Sequence, residues 1–594
     1  MKLSKLISEL KRRHVFKATI AYLAISWVII QIASILLPAF NAPDNALKAI
    51  IFVLFVGLII WIGFSWIYDF TADGIQKTDD IETNEETLIL TNRRLNRVIA
   101  GSLGLAVVLL VVISFYAGSR WNDNSIPTIS KKVAVIPFEH ETEDTEEDYF
   151  KTGMTQELIN ELSKVDQLTV ISQASTKLLY STIGPANFLI SNELKQIDYF
   201  VFGNIERQIN KITIQLELKE SSDATPIWKK SYSIDISQVR QLWAEAARDL
   251  ATEMGIKVKP DDAILWSNLR PVKPETYELY LKGKHYLNKS TQEDWQRGLV
   301  YLQEAIDQNP ADPYAWSGLA EGYIALGHGP APPPGVFPKA LAAAKRSIEL
   351  DSTNAEGWAS LAHYHTYFGW DWQLAEYAFK RANNLNPNMA LNHFHRSWYL
   401  ALFGRMNEAI EEHKRAQELD PFTPLHTAWL GELYRYVGEY EKGIIEADRA
   451  IQMQDDYALG MLIKGRILID QGKHEEGLEL LKQASNIMPG WKYVGYGPAL
   501  IRTGHIQEGK AIIQELESME PTAFSAFCLR YLYTELGNLD KAIEWARYKK
   551  KLGWYPWIRV TVKNKKLLND PRFLELIREM NLPDPAPLKY DPEL

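Results

Sequence analysis

Five short segments, GRMNEAI, GEYEKGI, GKHEEGL, GHIQEGK and GNLDKAI, begin at Gly404, Gly438, Gly472, Gly504 and Gly537, spaced 34, 34, 32 and 33 residues apart. No other feature constrains the fold as tightly. A unit of this length holds two short helices and a turn, and it is too small to bury an apolar face alone, so the units must stack. Glycine supplies the tight turn between the two helices. A small residue five positions later, at Ala409, Gly443, Gly477, Gly509 and Ala542, permits close helix contact. Proline, as at Pro421 and Pro521, stops the second helix. The pattern predicts an all-α solenoid of about eight units over residues 274–556, with a tail at 557–594.

Residues 131–260 read differently, as one small α/β domain. Val133 to Phe138 and Leu168 to Ser172 have the apolar density of buried strands. Between them, Tyr149 to Lys164 has helical spacing, with Met154, Leu158, Ile159 and Leu162 on one face. Gly153 is expected to break that helix, moving its start toward Thr155, with Thr152 or Thr155 as cap. YFVFGNIERQINKITIQLELKE reads as two strands joined at Asn210-Lys211, IWKKSYSI as a third, and residues 237–255 as a closing helix.

The first 120 residues carry three apolar runs, at about 18–37, 49–68 and 98–117. Each is roughly 20 residues, long enough to span a ~30 Å hydrocarbon core, which predicts three transmembrane helices and an integral membrane protein. Lys2, Lys5, Lys11, Arg12, Arg13 and Lys17 precede the first run, and Lys77, Arg93, Arg94 and Arg97 lie between the second and third. Basic flanks stay cytoplasmic, so the expected topology has a cytoplasmic N-terminus and everything after about Ser119 on the far side.

Composition excludes several function classes. A formal charge of −9 over 594 residues gives no bulk electrostatic reason to bind nucleic acid. One cysteine, Cys528, rules out an intrachain disulfide or a cysteine-based zinc site. GHIQEGKA at Gly504 nearly fits a phosphate loop, but Ala511 replaces the magnesium-binding hydroxyl and no strand precedes it. His363, His365, His393 and His395 form two i, i+2 pairs, whose members point to different sides of a helix, so no metal is assigned. The acidic stretch from Glu139 to Asp148 lacks the glycine turn of a calcium loop and is read as a solvated turn. No catalytic residue, cofactor or metal is expected.

The repeat units resemble tetratricopeptide repeats. In WSGLAEGYIALG, Trp316, Leu319, Ala320, Tyr323 and Gly327 match the family's first-helix positions. Trp358, Leu361, Ala362 and Gly369 do so in the next unit, followed by Ala375, Phe379, Ala382 and Pro387. HGPAPPPGVFP is an insertion, and GWDWQLA carries an extra residue. The whole chain is similar to a bacterial membrane-anchored family in which a TolB-N-terminal-like (FlgO-like) α/β domain precedes such repeats. ELKRRHVFKATIAYLAISWVIIQIASILLPAF, VAVIPFE, DYFVFGNIER and KKLLNDPRFLELIREMNLP carry that resemblance. Relatives place an adenylate-cyclase or winged-helix domain before the membrane segment. Only about 17 residues stand there in this chain, so those activities are not expected.

The resemblance implies a multi-domain protein of the bacterial inner membrane with a periplasmic body, acting without catalysis as a sensor or scaffold. Signalling through a separate cytoplasmic protein and envelope glycan binding are the alternatives. It also implies a concave face, formed by the first helices, that holds a protein or peptide partner. The positions carried over are His363, Tyr367, Trp398, Glu432, Arg435, Tyr436, Arg466, Trp491 and Arg502. Aromatics and forked arginines suit recognition, although about half of these side chains are expected only to pack between repeats. A second copy of the chain is a further partner left open.

Overall fold

The computed structural model divides the chain into two compact units, Met1–Thr128 and Ile129–Leu594. It describes residues 130–140, 148–184, 196–208, 210–221, 225–256, 271–289, 291–328, 333, 335–552 and 565–582, and only short stretches of the first unit.

In the first unit, residues 51–58 are helical, and Tyr22 donates a hydrogen bond to the Leu54 carbonyl at 3.0 Å. β1 (Tyr68–Thr71) and β2 (Gly74–Lys77) form an antiparallel hairpin. This corrects the expectation of three transmembrane helices, and with it the integral membrane, multi-pass inner-membrane placement. Among the described residues no helix is long and apolar enough to cross a membrane. Tyr68, expected to end the second span, opens a strand instead. The third run, 98–117, and most of the first lie outside the described residues.

The second unit begins with a sheet. β3 (Lys131–Val135) runs parallel to β5 (Leu168–Val170) on one side and β6 (Tyr199–Gln208) on the other. β7 (Lys211–Glu220) and β8 (Pro226–Asp235) continue from β6 as an antiparallel meander, and the short β4 (Glu139–His140) also pairs with β6. Strand alternation places Val133, Val135, Ile212, Ile214, Leu216 and Leu218 on one face, all fully buried. α1 (Asp148–Leu162) and α3 (Val239–Glu253) share that core through Phe150, Met154 and Trp243. The other face carries Ala134, Ile136, Ile171 and Phe200 with Leu179 of α2 (Gln173–Ile183).

α1 runs unbroken through Gly153, contrary to the sequence expectation. A Cβ at Gly153 would sit 2.7 Å from Leu281 Cδ2, so the glycine is there to let another helix approach. Thr155 is no cap either: its hydroxyl donates to the Lys151 carbonyl and accepts from the Phe138 N–H. The acidic residues 141–147 lie outside the described residues.

Eight helix pairs follow among the described residues. The first four are α4 (Pro274–Leu287) with α5 (Gln292–Gln308), α6 (Pro313–His328) with α7 (Val336–Leu350), α8 (Ala355–Tyr364) with α9 (Trp372–Leu385), and α10 (Ala390–Leu402) with α11 (Met406–Leu419). The next four are α12 (Pro424–Tyr436) with α13 (Tyr440–Met453), α14 (Ala458–Asp470) with α15 (His474–Ile487), α16 (Gly497–Arg502) with α17 (Ile506–Glu517), and α18 (Ala523–Glu535) with α19 (Leu539–Leu552). Gly404, Gly438, Gly472, Gly504 and Gly537 all take positive φ, between 72° and 92°, at the turn inside a pair. The third pair absorbs its extra residue in a π-helical turn, His365–Gly369, and Trp370 takes the left-handed conformation instead (φ 54°).

The sheet part docks on the loops between pairs. Arg240 of α3 forms a buried ion pair with Asp312 at 3.0 Å and lies 3.9 Å over the Tyr314 ring. The Asn388 amide donates to the Ser163 carbonyl and accepts from the Val170 N–H. Asp420 accepts from the hydroxyls of Ser172 and Ser175, both at 2.5 Å, while Phe422 packs on the second face of the sheet. Two tail helices, α20 (Lys565–Leu568) and α21 (Pro571–Glu579), complete the described chain.

Removing one member of a buried ion pair leaves the other charge uncompensated. Asp312→Asn is therefore expected to lower stability by ~3 kcal/mol in chemical denaturation. Glu349→Gln, which breaks the exposed pair with Arg346, should change it by less than ~0.5 kcal/mol. Equal effects would show that the Arg240–Asp312 pair does not hold the sheet to the solenoid.

Candidate functional site

Along the first helices of the pairs, the repeat register decides which side chains meet from one unit to the next. Two positions per unit, six and two residues before the turn glycine, give Trp398, Glu432, Arg466, Pro498 and Tyr531, and Leu402, Tyr436, Asp470, Arg502 and Glu535. In the fifth to eighth pairs these residues build a continuous charge ladder. Arg435 makes two hydrogen bonds to Glu432, at 2.8 and 2.7 Å, and a third to Asp470 at 2.8 Å. Asp470 also accepts from Arg502 at 2.8 Å, and Arg502 Nε lies 3.8 Å from Glu535. Arg466 donates to Glu432 at 3.1 Å and to the Val494 carbonyl at 2.7 Å. All of these but the Arg435–Glu432 pair within α12 and the Arg466–Val494 bond are ion pairs that join one helix pair to the next.

Burial sets the electrostatics of the ladder. It would pull the Arg435 guanidinium down, but Glu432 and Asp470 outweigh it and hold the group well above its ordinary value. Arg530 is fully buried, stacked near Phe527 and Tyr531, and there burial wins and pulls it down to about 10. Arg466 Nε and Trp491 Nε1 are buried donors with no hydrogen-bond acceptor among the described residues. Arg502 remains a third exposed, which makes it the most accessible rung.

The nine sequence-derived positions thus divide. Glu432, Arg435, Arg466 and Arg502 belong to one network, with Tyr436 beside Arg435 at 4.9 Å. Trp491 is half-buried. His363, Tyr367 and Trp398 are covered, at 6%, 6% and 7% exposure, and form an aromatic cluster of the second to fourth pairs. The Nε2 atoms of His328 and His363 face each other at 2.7 Å, and the His363 and His395 rings stack edge-on at 4.0 Å. Tyr367 hydroxyl and His395 Nδ1 are 3.0 Å apart. Trp398 stands edge-on to Trp429 at 5.3 Å, so it presents no open platform for a sugar ring. Among the described residues no group of three or more His, Cys, Asp or Glu side chains is arranged to hold a metal ion.

Sequence reasoning missed His328, Asp470, Arg530, Tyr531 and Glu535. The signal was available for three of them: Asp470, Tyr531 and Glu535 fall at the same register positions as residues already chosen.

No family model matches the chain. It is 24% identical over 234 residues to a putative adenylate cyclase 3 of Rhizobium meliloti, covering 39% of each chain. It is 28% identical over 221 residues to the transcriptional regulator HilA of Salmonella typhimurium, covering 35% of this chain and 38% of that one. The chain thus spans under two fifths of the length of the curated relatives it matches. Among solved structures, the tetratricopeptide-repeat protein TTC0263 of Thermus thermophilus aligns with 32% of this chain and 99% of its own, at 21% identity and a TM-score of 0.27. YrrB, described as a tetratricopeptide-repeat protein with an unusual peptide-binding site, aligns with 32% and 92%, at 18% identity and a TM-score of 0.25. The 32- to 34-residue helix pairs and their positive-φ glycine turns give this chain a solenoid fold of tetratricopeptide-repeat type.

The buried histidines make stability depend on pH. Burial holds His328 down to about 4 and His413 to about 3, and it lowers His363 and His395 as well. Between pH 6.5 and 4.5 the unfolded chain binds protons at these four rings and the folded chain does not, so stability falls as pH falls. Glu157 acts in the opposite sense, because burial raises it to about 7 and the folded chain takes up its proton first. Burial lowers His285 and His365 too, so six rings against one carboxyl give a net loss on acidification. His328→Gln should flatten the slope of unfolding free energy against pH by about one proton, and Glu157→Gln should steepen it by about one. A flat profile in wild type would contradict the assignment.

Proposed function

We propose that the chain is a non-catalytic protein-binding scaffold whose inner face, over the fifth to eighth helix pairs, holds an extended acidic peptide segment of a partner. The observation that carries this reading is the arginine-rich ladder. Its charges are largely paired within the face, yet Arg502 is accessible and Arg466 Nε and Trp491 Nε1 lack acceptors among the described residues. Guanidinium forks match carboxylates in shape and charge, and a carboxylate entering here meets groups whose dehydration and ordering are already complete. Tyr436 and Trp491 add rigid contact area at low entropic loss. The sheet part, read as TolB-N-terminal-like from VAVIPFE and DYFVFGNIER, serves in this reading to brace the solenoid through Asp312, Asn388 and Asp420.

A peptide array probed with the full chain tests the reading. Acidic segments are expected to dominate the bound set. Arg502→Gln should weaken a selected acidic peptide about tenfold in titration calorimetry, the effect of ~1.4 kcal/mol from one charged hydrogen bond, and Trp491→Ala should also weaken it. Arg346→Gln, on a second helix, should not. Binding without preference for acidic sequences, or equal loss in both arginine variants, would overturn the proposal.

A further inference from the structure

The tail helix α21 touches two helix pairs that are far apart in the solenoid. At one end, the Met580 carbonyl accepts a buried hydrogen bond from Trp372 Nε1 at 2.8 Å. Trp372 opens α9, in the third pair, and its own carbonyl accepts from the Tyr399 hydroxyl of the fourth pair at 3.0 Å. Along its outer side, Arg572 and Glu575 pair with Asp540 and Arg547 of α19, in the eighth pair, at 2.8 and 2.9 Å. Phe573, Leu576 and Ile577 project from the inner stripe of α21 and are fully or almost fully buried, as are Leu567, Met580 and Leu582 around them. They belong to the same buried core cluster as Trp372 and Tyr399 and as Ala542, Ile543 and Ala546 of α19.

A solenoid unit contacts only its neighbours, so nothing in the repeat pattern itself joins the third pair to the eighth. α21 does join them, and so spans an arc that includes the fifth to eighth pairs with their charge ladder. Its strength is in the apolar stripe and the Trp372 hydrogen bond. The two ion pairs to α19 are half exposed or more and add little. A nine-residue helix is too short to be stable by itself, so α21 is either docked or unfolded.

We propose that α21 is a clasp: docked, it holds the third and eighth pairs together and limits entry to the inner face, and undocked, it lets the arc open. Its functional meaning rests on the inner face being the binding face. Its structural content does not.

The test is a distance measured by double electron–electron resonance on the full chain. Spin labels go on Lys380→Cys of α9 and Glu544→Cys of α19, both exposed, with the buried Cys528 changed to Ala. The distance is compared between the intact clasp, Phe573→Asp, and a chain ending at Asn564. The shortened chain guards against a Phe573→Asp effect confined to misfolding, and circular dichroism checks that the repeats remain helical. Both released forms are expected to show a longer and broader distance, shifted by about the ~10 Å width of one helix. An unchanged distance in the shortened chain overturns the clasp. No peptide is present, so that result leaves the acidic-peptide reading standing, and failure of peptide binding leaves the clasp standing.

Discussion

The close approach of backbones inside helix pairs such as the fifth and sixth is the constraint on which the rest depends. A Cβ at Gly431 would lie 2.9 Å from the Gly443 carbonyl oxygen, and one at Gly443 would lie 3.0 Å from that of Gly431. Gly465 and Gly477 repeat the arrangement one unit later, at 3.2 and 3.0 Å. No side chain fits between these helices. The spacing fixes the tilt of each pair, hence which residues face inward, and so it brings Glu432, Arg466, Asp470 and Arg502 within hydrogen-bond reach of one another. The small residues make the inner face. The charges then occupy it.

The early and late helix pairs differ in chemistry. Over the early pairs, α1 lies against α4, with Tyr280 donating to Glu157 at 3.2 Å, and the neighbouring histidines are neutral and stacked. That half is interior and behaves as a core, with titration pushed out of the physiological range by burial. Over the later pairs the face stays charged, and its charges are balanced mostly across units. A charge buried within a network is tolerated only when its partners hold still, which the clasp at Trp372 and the loops at Asp312 and Asp420 both favour. The sheet and the tail therefore act on the same property of the solenoid, its rigidity.

What was legible in the sequence was periodic. The turn glycines, the small residues behind them and the strand alternation of Ile212, Ile214, Leu216 and Leu218 each repeat a local rule, and local rules survive in any context. What was not legible was tertiary. Gly153 looked like a helix breaker because its neighbour Leu281 is 128 positions away, and only contact with α4 shows why a helix retains it. α2 was missed because its apolar stripe is short and is completed by Ile171, Phe200 and Phe422 from elsewhere. The apolar runs in the first 120 residues were read by length and hydropathy alone, a rule that ignores tertiary partners. Of the proposed contact residues, Arg502 was identifiable from register, whereas the burial of His363, Tyr367 and Trp398 depends on His328, His395 and Trp429 of adjacent units.

The central claim is that partners meet the inner face of the later helix pairs. The most direct measurement places a photoreactive phenylalanine analogue at Trp491, proposed for that face, or at Tyr377, which is 53% exposed on a second helix. Each protein is irradiated with an acidic peptide selected from the array. The account predicts a crosslinked peptide from position 491 and none from position 377. Crosslinking from position 377 alone, or equally from both, would contradict it.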